Sequence, residues 1–314
     1  MTVSVAEYLG QSVTSDQVIK PVVAEKGDVV PCPFREGPCD KIVRGKKPVC
    51  SVRDGSGTLW IVCEHRLCAT SPKQAPLTNY QIDVLMAVAK TIWGVQLDRS
   101  EIAVRREVPV RTKGRSPSKA DYVMVPTPQL RSREPQVAFS PVILEMQGGG
   151  ETTNTGALSK LVTKWELEFD NAPTNEQLSR PITKVSPLET NAWRRQQEQF
   201  LYKGNVATHS SGRLVFVVGA KLFDLLQRNL ANTTMINLRD GNWTLALIGV
   251  SEANSESVTK FGVRNSVQLE IDSTRLLFTS YADFVQALTR QGGIDPQLFK
   301  GEFTNLDGST ISLG

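Results

Sequence analysis

A chain of 314 residues, 40% of them hydrophobic and 22% charged, has the material for one large domain or a domain with a small appendage. Its mean hydropathy of −0.21, with no apolar run near the ~18 residues of a membrane span, excludes a transmembrane helix as the organising element. The net charge of +4 permits nucleic-acid binding without demanding it, so any basic surface must be local. The first residues, Met1-Thr2-Val3-Ser4-Val5-Ala6-Glu7, lack a basic stretch followed by an apolar one, and the expectation is a cytoplasmic protein with no membrane partner.

The chain opens with an expected short helix at residues 3–10 and an extended piece at 17–23. All five cysteines follow between residues 32 and 68, spaced Cys32-x6-Cys39-x10-Cys50-x12-Cys63 with Cys68 five residues on. Chain size, the missing leader and the odd count argue against disulfides. Four thiolates in a short loop-rich segment suit a tetrahedral structural metal, iron or zinc, and Cys32, Cys39, Cys50 and Cys63 are the expected ligands. Cys68 is left as a core thiol, and His65 is a further candidate ligand. Residues 1–70 therefore read as an N-terminal segment with a four-cysteine metal subdomain, and residues 71–314 as the main unit with a β-rich C-terminal extension.

Beyond the cysteines, Ile82, Leu85, Met86, Ala89 and Trp93 recur at helical steps, predicting a helix over 78–93 with Thr78 or Asn79 as cap and Gly94 as its stop. Strands are predicted at 102–110, 119–126 and 139–147. Gly148-Gly149-Gly150 reads as a flexible turn, outside any phosphate-loop context. Helices are expected at 157–165, at 191–203 (ending at Gly204), at 223–230 and at 281–290. The apolar runs 214–219 and 244–250 read as buried strands of parallel type. Shorter β-pieces are expected at 266–271 and 275–279. A meander followed by helical crossovers gives an α/β fold with a mixed central sheet and flanking helices. His209-Ser210-Ser211 lacks a nucleophile-elbow pattern and is not read as a hydrolase triad.

Acids in the two apolar runs carry the chemistry. Asp121 sits in Lys119-Ala120-Asp121-Tyr122-Val123, and Glu145 in Val142-Ile143-Leu144-Glu145-Met146-Gln147. Strand alternation sends Glu145 and Gln147 to one face and Leu144 and Met146 to the other. If Asp121 ends the neighbouring strand, oxygen-bearing side chains converge, and such a cluster suits Mg²⁺. Glu107 on the preceding strand is an additional candidate acid, and the Met146 carbonyl a further candidate ligand. Gln147 can neither supply charge nor accept a proton, which shifts the electrostatic work to the ions or to Lys119 and Lys160. Arg105, Arg106, Arg111, Lys113, Arg115 and Lys119 fall immediately before the acidic centre, where they would meet phosphate. Arg194, Arg195, Arg213 and Arg264 are additional candidates for reading guanine.

Asp121 followed by Glu145-Met146-Gln147, on the second and third strands of this order, resembles the PD-(D/E)xK nuclease superfamily, with glutamine where lysine is usual. Cys32-Pro33-Phe34, Cys39, Pro48-Val49-Cys50-Ser51 and Ile61-Val62-Cys63 through Arg66-Leu67 resemble the metal-binding segment of NotI-type restriction endonucleases. Thr155-Gly156-Ala157-Leu158 and the helix at 191–204 are similar as well. The resemblance implies a PD-(D/E)xK core with Asp121, Glu145 and Gln147 as the catalytic residues and Mg²⁺ as cofactor. It further implies one structural iron, with zinc as the alternative, on the four cysteines. The implied activity is type II cleavage of double-stranded DNA by a homodimer at a long, palindromic, GC-rich site, leaving 5′-phosphates. A cognate DNA methyltransferase is expected in the same host. The competing expectation is a DNA-binding module with a degenerate centre, or a repair-type nuclease of the same fold.

Overall fold

The computed structural model describes residues 2–22, 28–68, 70, 75–110, 118–230, 238–254, 256–257, 259–289, 300–304 and 306–313. In chain order these form β1 (Thr2–Tyr8), β2 (Gln11–Ser12), α1 (Asp40–Val43), β3 (Val49–Asp54), β4 (Leu59–Ile61), α2 (Asn79–Trp93), β5 (Ile102–Val110), β6 (Ser118–Pro126) and α3 (Pro128–Arg133). There follow β7 (Val142–Gln147), α4 (Thr155–Glu168), α5 (Glu176–Ser179), β8 (Ile182–Thr183), α6 (Glu189–His209), β9 (Arg213–Gly219) and α7 (Ala220–Leu230). The chain closes with β10 (Leu245–Glu252), β11 (Leu269–Thr279), α8 (Tyr281–Thr289) and a hairpin of β12 (Gly301–Thr304) and β13 (Thr310–Leu313).

The expected mixed α/β architecture is present. A six-stranded sheet runs in the order β11-β10-β9-β7-β6-β5. Strands β5, β6 and β7 form the antiparallel meander, while β9 lies parallel to both β7 and β10. The Arg213–Gly219 run is central and covered on both faces, which is why it reads as unbroken hydrophobic sequence. The pieces expected at 266–271 and 275–279 are one strand, β11, because the register irregularity against β10 between Ile248 and Val250 lets it run through the polar Asp272-Ser273-Thr274 stretch.

Side-chain alternation divides the core into two layers. Tyr122, Met124, Leu144, Met146, Val215 and Val217 pack with Val84, Leu85, Val88 and Ile92 of α2. Full burial of each such side chain contributes on the order of 1.5–3 kcal/mol. Helix α2 is bounded as expected: Thr78 accepts from the Gln81 amide in a capping box, and Gly94 takes φ +67 at its end. On the other face, Leu214, Phe216 and Val218 pack with Trp193 and Phe200 of α6 and Phe284 of α8. By the same alternation, Asp121 and Glu145 face the α6 layer.

The chain departs from expectation at several elements. Residues 3–10 are not helical: β1 alternates polar and β-branched residues, buries Val3 and Val5, and pairs with β3. Its Glu7 forms a fully buried ion pair with Arg66, Nε to Oε2 at 2.7 Å. In the expected extended piece, residues 18–22 follow no regular element but anchor Ile19, whose amide donates to Asn175 at 2.9 Å; Val23 lies outside the described residues. Helix α6 does not stop at Gly204 but runs on to His209. Gly204 is there because Tyr281 lies against it, 2.3 Å from where a Cβ would stand. Helix α8 ends at Thr289, and residue 290 of the expected helix lies outside the described residues.

The glycine triplet is a packing surface, not a flexible turn. A Cβ on Gly148 would stand 2.5 Å from Ile61, and one on Gly149 2.8 Å from Trp60. The Gly150 amide donates to the Ile61 carbonyl at 2.9 Å, and Trp60 Nε1 donates to the Gly150 carbonyl at 3.0 Å. The β3–β4 hairpin, which lies in the sheet of β1, β2 and β8, is thereby pressed onto the end of the strand that carries Glu145. Gly149→Ala is expected to cost about 1–3 kcal/mol through overpacking; an unchanged urea midpoint would show that the hairpin is not seated this way.

Candidate active site

The backbone ladder between β6 and β7 runs from Met124↔Val142 to Tyr122↔Leu144 and then stops. The next pair is Asp121 and Glu145, and here side chains take over from the ladder. The Asp121 amide donates to Glu145 Oε1 at 3.3 Å, and the Met146 amide donates to Asp121 Oδ2 at 2.9 Å. The two carboxylates thus stand on one face, on adjacent strands, at the edge of an open polar cavity of about 620 Å³.

Both acids resist ionisation. Burial raises Asp121, only partly offset by the Met146 amide. Burial and then the Asp121 charge push Glu145 up to about 8, against the pull of Lys203. The Lys203 ammonium sits 2.6 Å from Glu145 Oε1 and also donates to the Lys119 carbonyl, with its side chain only 2% exposed. Asp121 Oδ1 and Glu145 Oε2 accept no hydrogen bond from any described residue. Two close, mutually repelling carboxylates, Glu145 buried and Asp121 half-buried, with outward oxygens fit a hard divalent cation such as Mg²⁺, which takes one or two carboxylates and keeps waters elsewhere.

Lys203 is the residue that the sequence reading passed over. Ala192, Gln196, Phe200, Lys203 and Ala207 share one helical face, and all are buried. A lysine on the apolar stripe of a helix was the available signal, because lysine is almost never fully buried unless paired.

Gln147 points to the same side as Glu145, and its amide is engaged at both its oxygen and its nitrogen. It accepts from Gln196 Nε2 at 2.9 Å and donates to the Gly149 carbonyl at 3.0 Å. Its role here is to tie α6 to the end of β7. Glu107 interrupts the β5–β6 register at the position facing Asp121 and adopts φ +46, a left-handed conformation that turns it off the regular pleat. Its carboxylate lines the cavity, accepting from Thr70 Oγ1 and lying 3.2 Å from Lys119 Nζ. Met146 also lines the cavity. Lys160 is exposed on α4 and is not among the cavity residues.

The cysteine segment supplies the other wall through Arg35, Asp40, Glu64 and His65. Asp40 accepts from Arg35 Nη2 at 2.7 Å and lies 2.8 Å from His65 Nε2. Among the described residues, Arg35 Nε and His65 Nδ1 are buried without a hydrogen-bond partner.

Cys32 and Cys39 flank the Pro31–Pro38 bridge, and Cys63 donates its amide to the Cys50 carbonyl across the β3–β4 hairpin. The amides of Phe34 and Arg35 donate toward the Cys32 sulfur, that of Gly10 toward Cys50 and that of His65 toward Cys63. Burial holds these three thiols above their usual range. Two hairpin-paired cysteine sets with amide donors suit four thiolates around one ion. A tetrahedral ion with metal–sulfur bonds of about 2.3 Å needs sulfurs roughly 3.8 Å apart. Among the described residues no three sulfurs lie within 4.8 Å of one another, so the donor set fits but its spacing is wider than a loaded site. All five cysteines are free, and Cys68 stands apart against Tyr122 and Gln81.

Of the candidate DNA-binding residues, Lys119 lines the cavity, whereas Arg111, Lys113 and Arg115 lie outside the described residues, as do the side chains of Arg194 and Arg195. Arg105 and Arg264 are exposed. Arg106 donates to the Ala75 carbonyl. Arg213 stacks on Trp243, 4.3 Å from the ring centre, at the end of β9 remote from Val218, the partner of Gln147. No described helix is long and apolar enough to cross a membrane. Neither a protein-family model nor a curated protein sequence matches this chain.

Proposed function

We propose that the chain is a Mg²⁺-dependent, sequence-specific type II endonuclease of the PD-(D/E)xK class, hydrolysing phosphodiester bonds of double-stranded DNA at a palindromic, GC-rich site and leaving 5′-phosphates. The observation that carries this reading is the opposition of Asp121 and Glu145 at the point where the β6–β7 ladder ends, beside a buried ammonium and open to a polar cavity. Asp121, Glu145 and the Met146 carbonyl would hold Mg²⁺, which when bound lowers the pKa of attacking water and stabilises charge on the phosphoryl oxygens. Lys203 keeps Glu145 oriented and contributes a fixed positive charge from an almost wholly enclosed position, where such charges act most strongly. Gln147 and Gln196 hold α6, and with it Lys203, against β7. Glu107 and Lys119 form the outer rim.

Among the described residues five carboxylates, three cationic side chains and His65 line the cavity, so a bound divalent cation would favour the entry of a DNA phosphate. A palindromic site fits a two-fold symmetric homodimer. The engaged amide of Gln147 favours one alternative, a DNA-binding module with a degenerate centre. Incubating the protein with Mg²⁺ and GC-rich plasmid separates the two. Discrete fragments with 5′-phosphate ends support the endonuclease; a gel shift without cuts supports the binder; nicking without fixed ends supports a repair-type nuclease.

The same reading assigns one structural iron or zinc to Cys32, Cys39, Cys50 and Cys63. Elemental analysis is expected to find about one equivalent per chain, and Cys50→Ser to lose the metal and the folded state together. A stable, metal-free Cys50→Ser protein would remove the structural role.

A further inference from the structure

We propose that Asp40, Glu64 and His65 form a second cation site on the cysteine-segment wall of the cavity, for a first-row divalent ion of the Mn²⁺ or Zn²⁺ class. One ligand atom from each residue lies within 4.8 Å of the other two. His65 Nε2 is 2.8 Å from Asp40 Oδ2 and 3.9 Å from Glu64 Oε1. Bonds of about 2.0–2.2 Å to nitrogen and oxygen put neighbouring ligand atoms roughly 3–3.5 Å apart. Small shifts therefore close the site, and Glu64, with its side chain 68% exposed, is free to make the largest.

The surroundings are built as metal sites usually are. Arg35 Nη2 holds the other Asp40 oxygen, Oδ1, at 2.7 Å and so fixes the carboxylate with Oδ2 toward the imidazole. His65 is 8% exposed and presents Nε2 to both carboxylates. A purely structural Asp40–His65 hydrogen bond gives Glu64 no part, whereas an ion held through Nε2 uses all three side chains. The three residues come from two chain segments, each starting directly after a cysteine, Asp40 after Cys39 and Glu64-His65 after Cys63. One imidazole with two carboxylates selects a borderline ion over the soft ions that thiolates prefer.

This assignment is independent of the nuclease reading. Its test counts Mn²⁺ bound to the full-length chain, without DNA and with the thiol site as purified, by electron paramagnetic resonance of the free ion. The wild type is expected to bind two equivalents. Glu64→Gln, on an exposed side chain, is expected to weaken one of them at least tenfold and leave the other unchanged; His65→Ala, checked for fold by circular dichroism, does the same. Asp121→Asn is expected to remove the other equivalent. Isotherms for Glu64→Gln and folded His65→Ala that match the wild type overturn the proposal, as does a single wild-type equivalent lost in Asp121→Asn. Loss in Glu64→Gln with none in Asp121→Asn supports this site and counts against the nuclease centre.

Discussion

Glu145→Gln is expected to abolish DNA cleavage and, in the same molecule, to stabilise the metal-free protein above pH 8. Loss of a carboxylate ligand lowers turnover by more than about a hundredfold, the upper end of what outer-shell changes at metal sites cost. The stability gain follows from proton linkage. Glu145 releases its proton near 4.5 in the unfolded chain but only at about 8 in the fold, where burial and the Asp121 charge oppose ionisation. Between those values the folded state holds a proton that the unfolded state has lost, so wild-type stability is fully present below about pH 4.5 and declines as pH rises through about 8. Glutamine carries no such penalty, can still accept from Lys203, and flattens the profile, with an expected gain of about 1–3 kcal/mol at pH 8.5. Urea midpoints at pH 5 and 8.5 measure it. A variant that cuts DNA, or a pH profile that remains as steep as the wild type, contradicts the assignment.

Lys203→Met is the second large effect. The ammonium lies between Glu145 Oε1 and the Lys119 carbonyl and is almost wholly enclosed. Its removal takes a fixed charge from beside the proposed phosphate site and leaves Glu145 without its compensating partner, so cleavage is expected to fall by about 10²–10³-fold. Lys203→Arg is not expected to rescue it, because a planar guanidinium with five donors does not fit a slot set by two acceptors around one nitrogen. Rate and Mg²⁺ affinity are to be measured together. Methionine at wild-type rate would reduce Lys203 to packing.

Much of this arrangement was legible before any coordinates. The period-2 alternation of β7 places Glu145 and Gln147 on one face, and the unbroken apolar run of β9 identifies a buried strand of parallel type; only the β6–β7 register brings Asp121 to the same face. The helical spacing of Ile82, Leu85, Met86, Ala89 and Trp93, with Thr78 or Asn79 as cap and Gly94 as stop, bounds α2. What stayed hidden depends on long-range packing. Gly204 reads as a helix stop until Tyr281, far along the chain, supplies the reason for a missing side chain. Residues 3–10 carry a short pattern compatible with helix, and only the partner strand β3 makes them a strand. The glycine triplet reads as a turn until Trp60 and Ile61 are seen against it. Lys203 was readable only as an oddity on the apolar stripe of α6, and the wall of Arg35, Asp40, Glu64 and His65 is assembled by the cysteine hairpins.

The central claim is that Asp121 and Glu145 share one divalent ion at the scissile phosphate. Anomalous diffraction from crystals of the chain with a cleavable DNA duplex and Mn²⁺ tests it most directly. A peak within about 2.0–2.3 Å of one oxygen of each carboxylate, and next to a phosphate oxygen, is the predicted result. Mn²⁺ bound elsewhere, with DNA seated and both carboxylates unliganded, would contradict it.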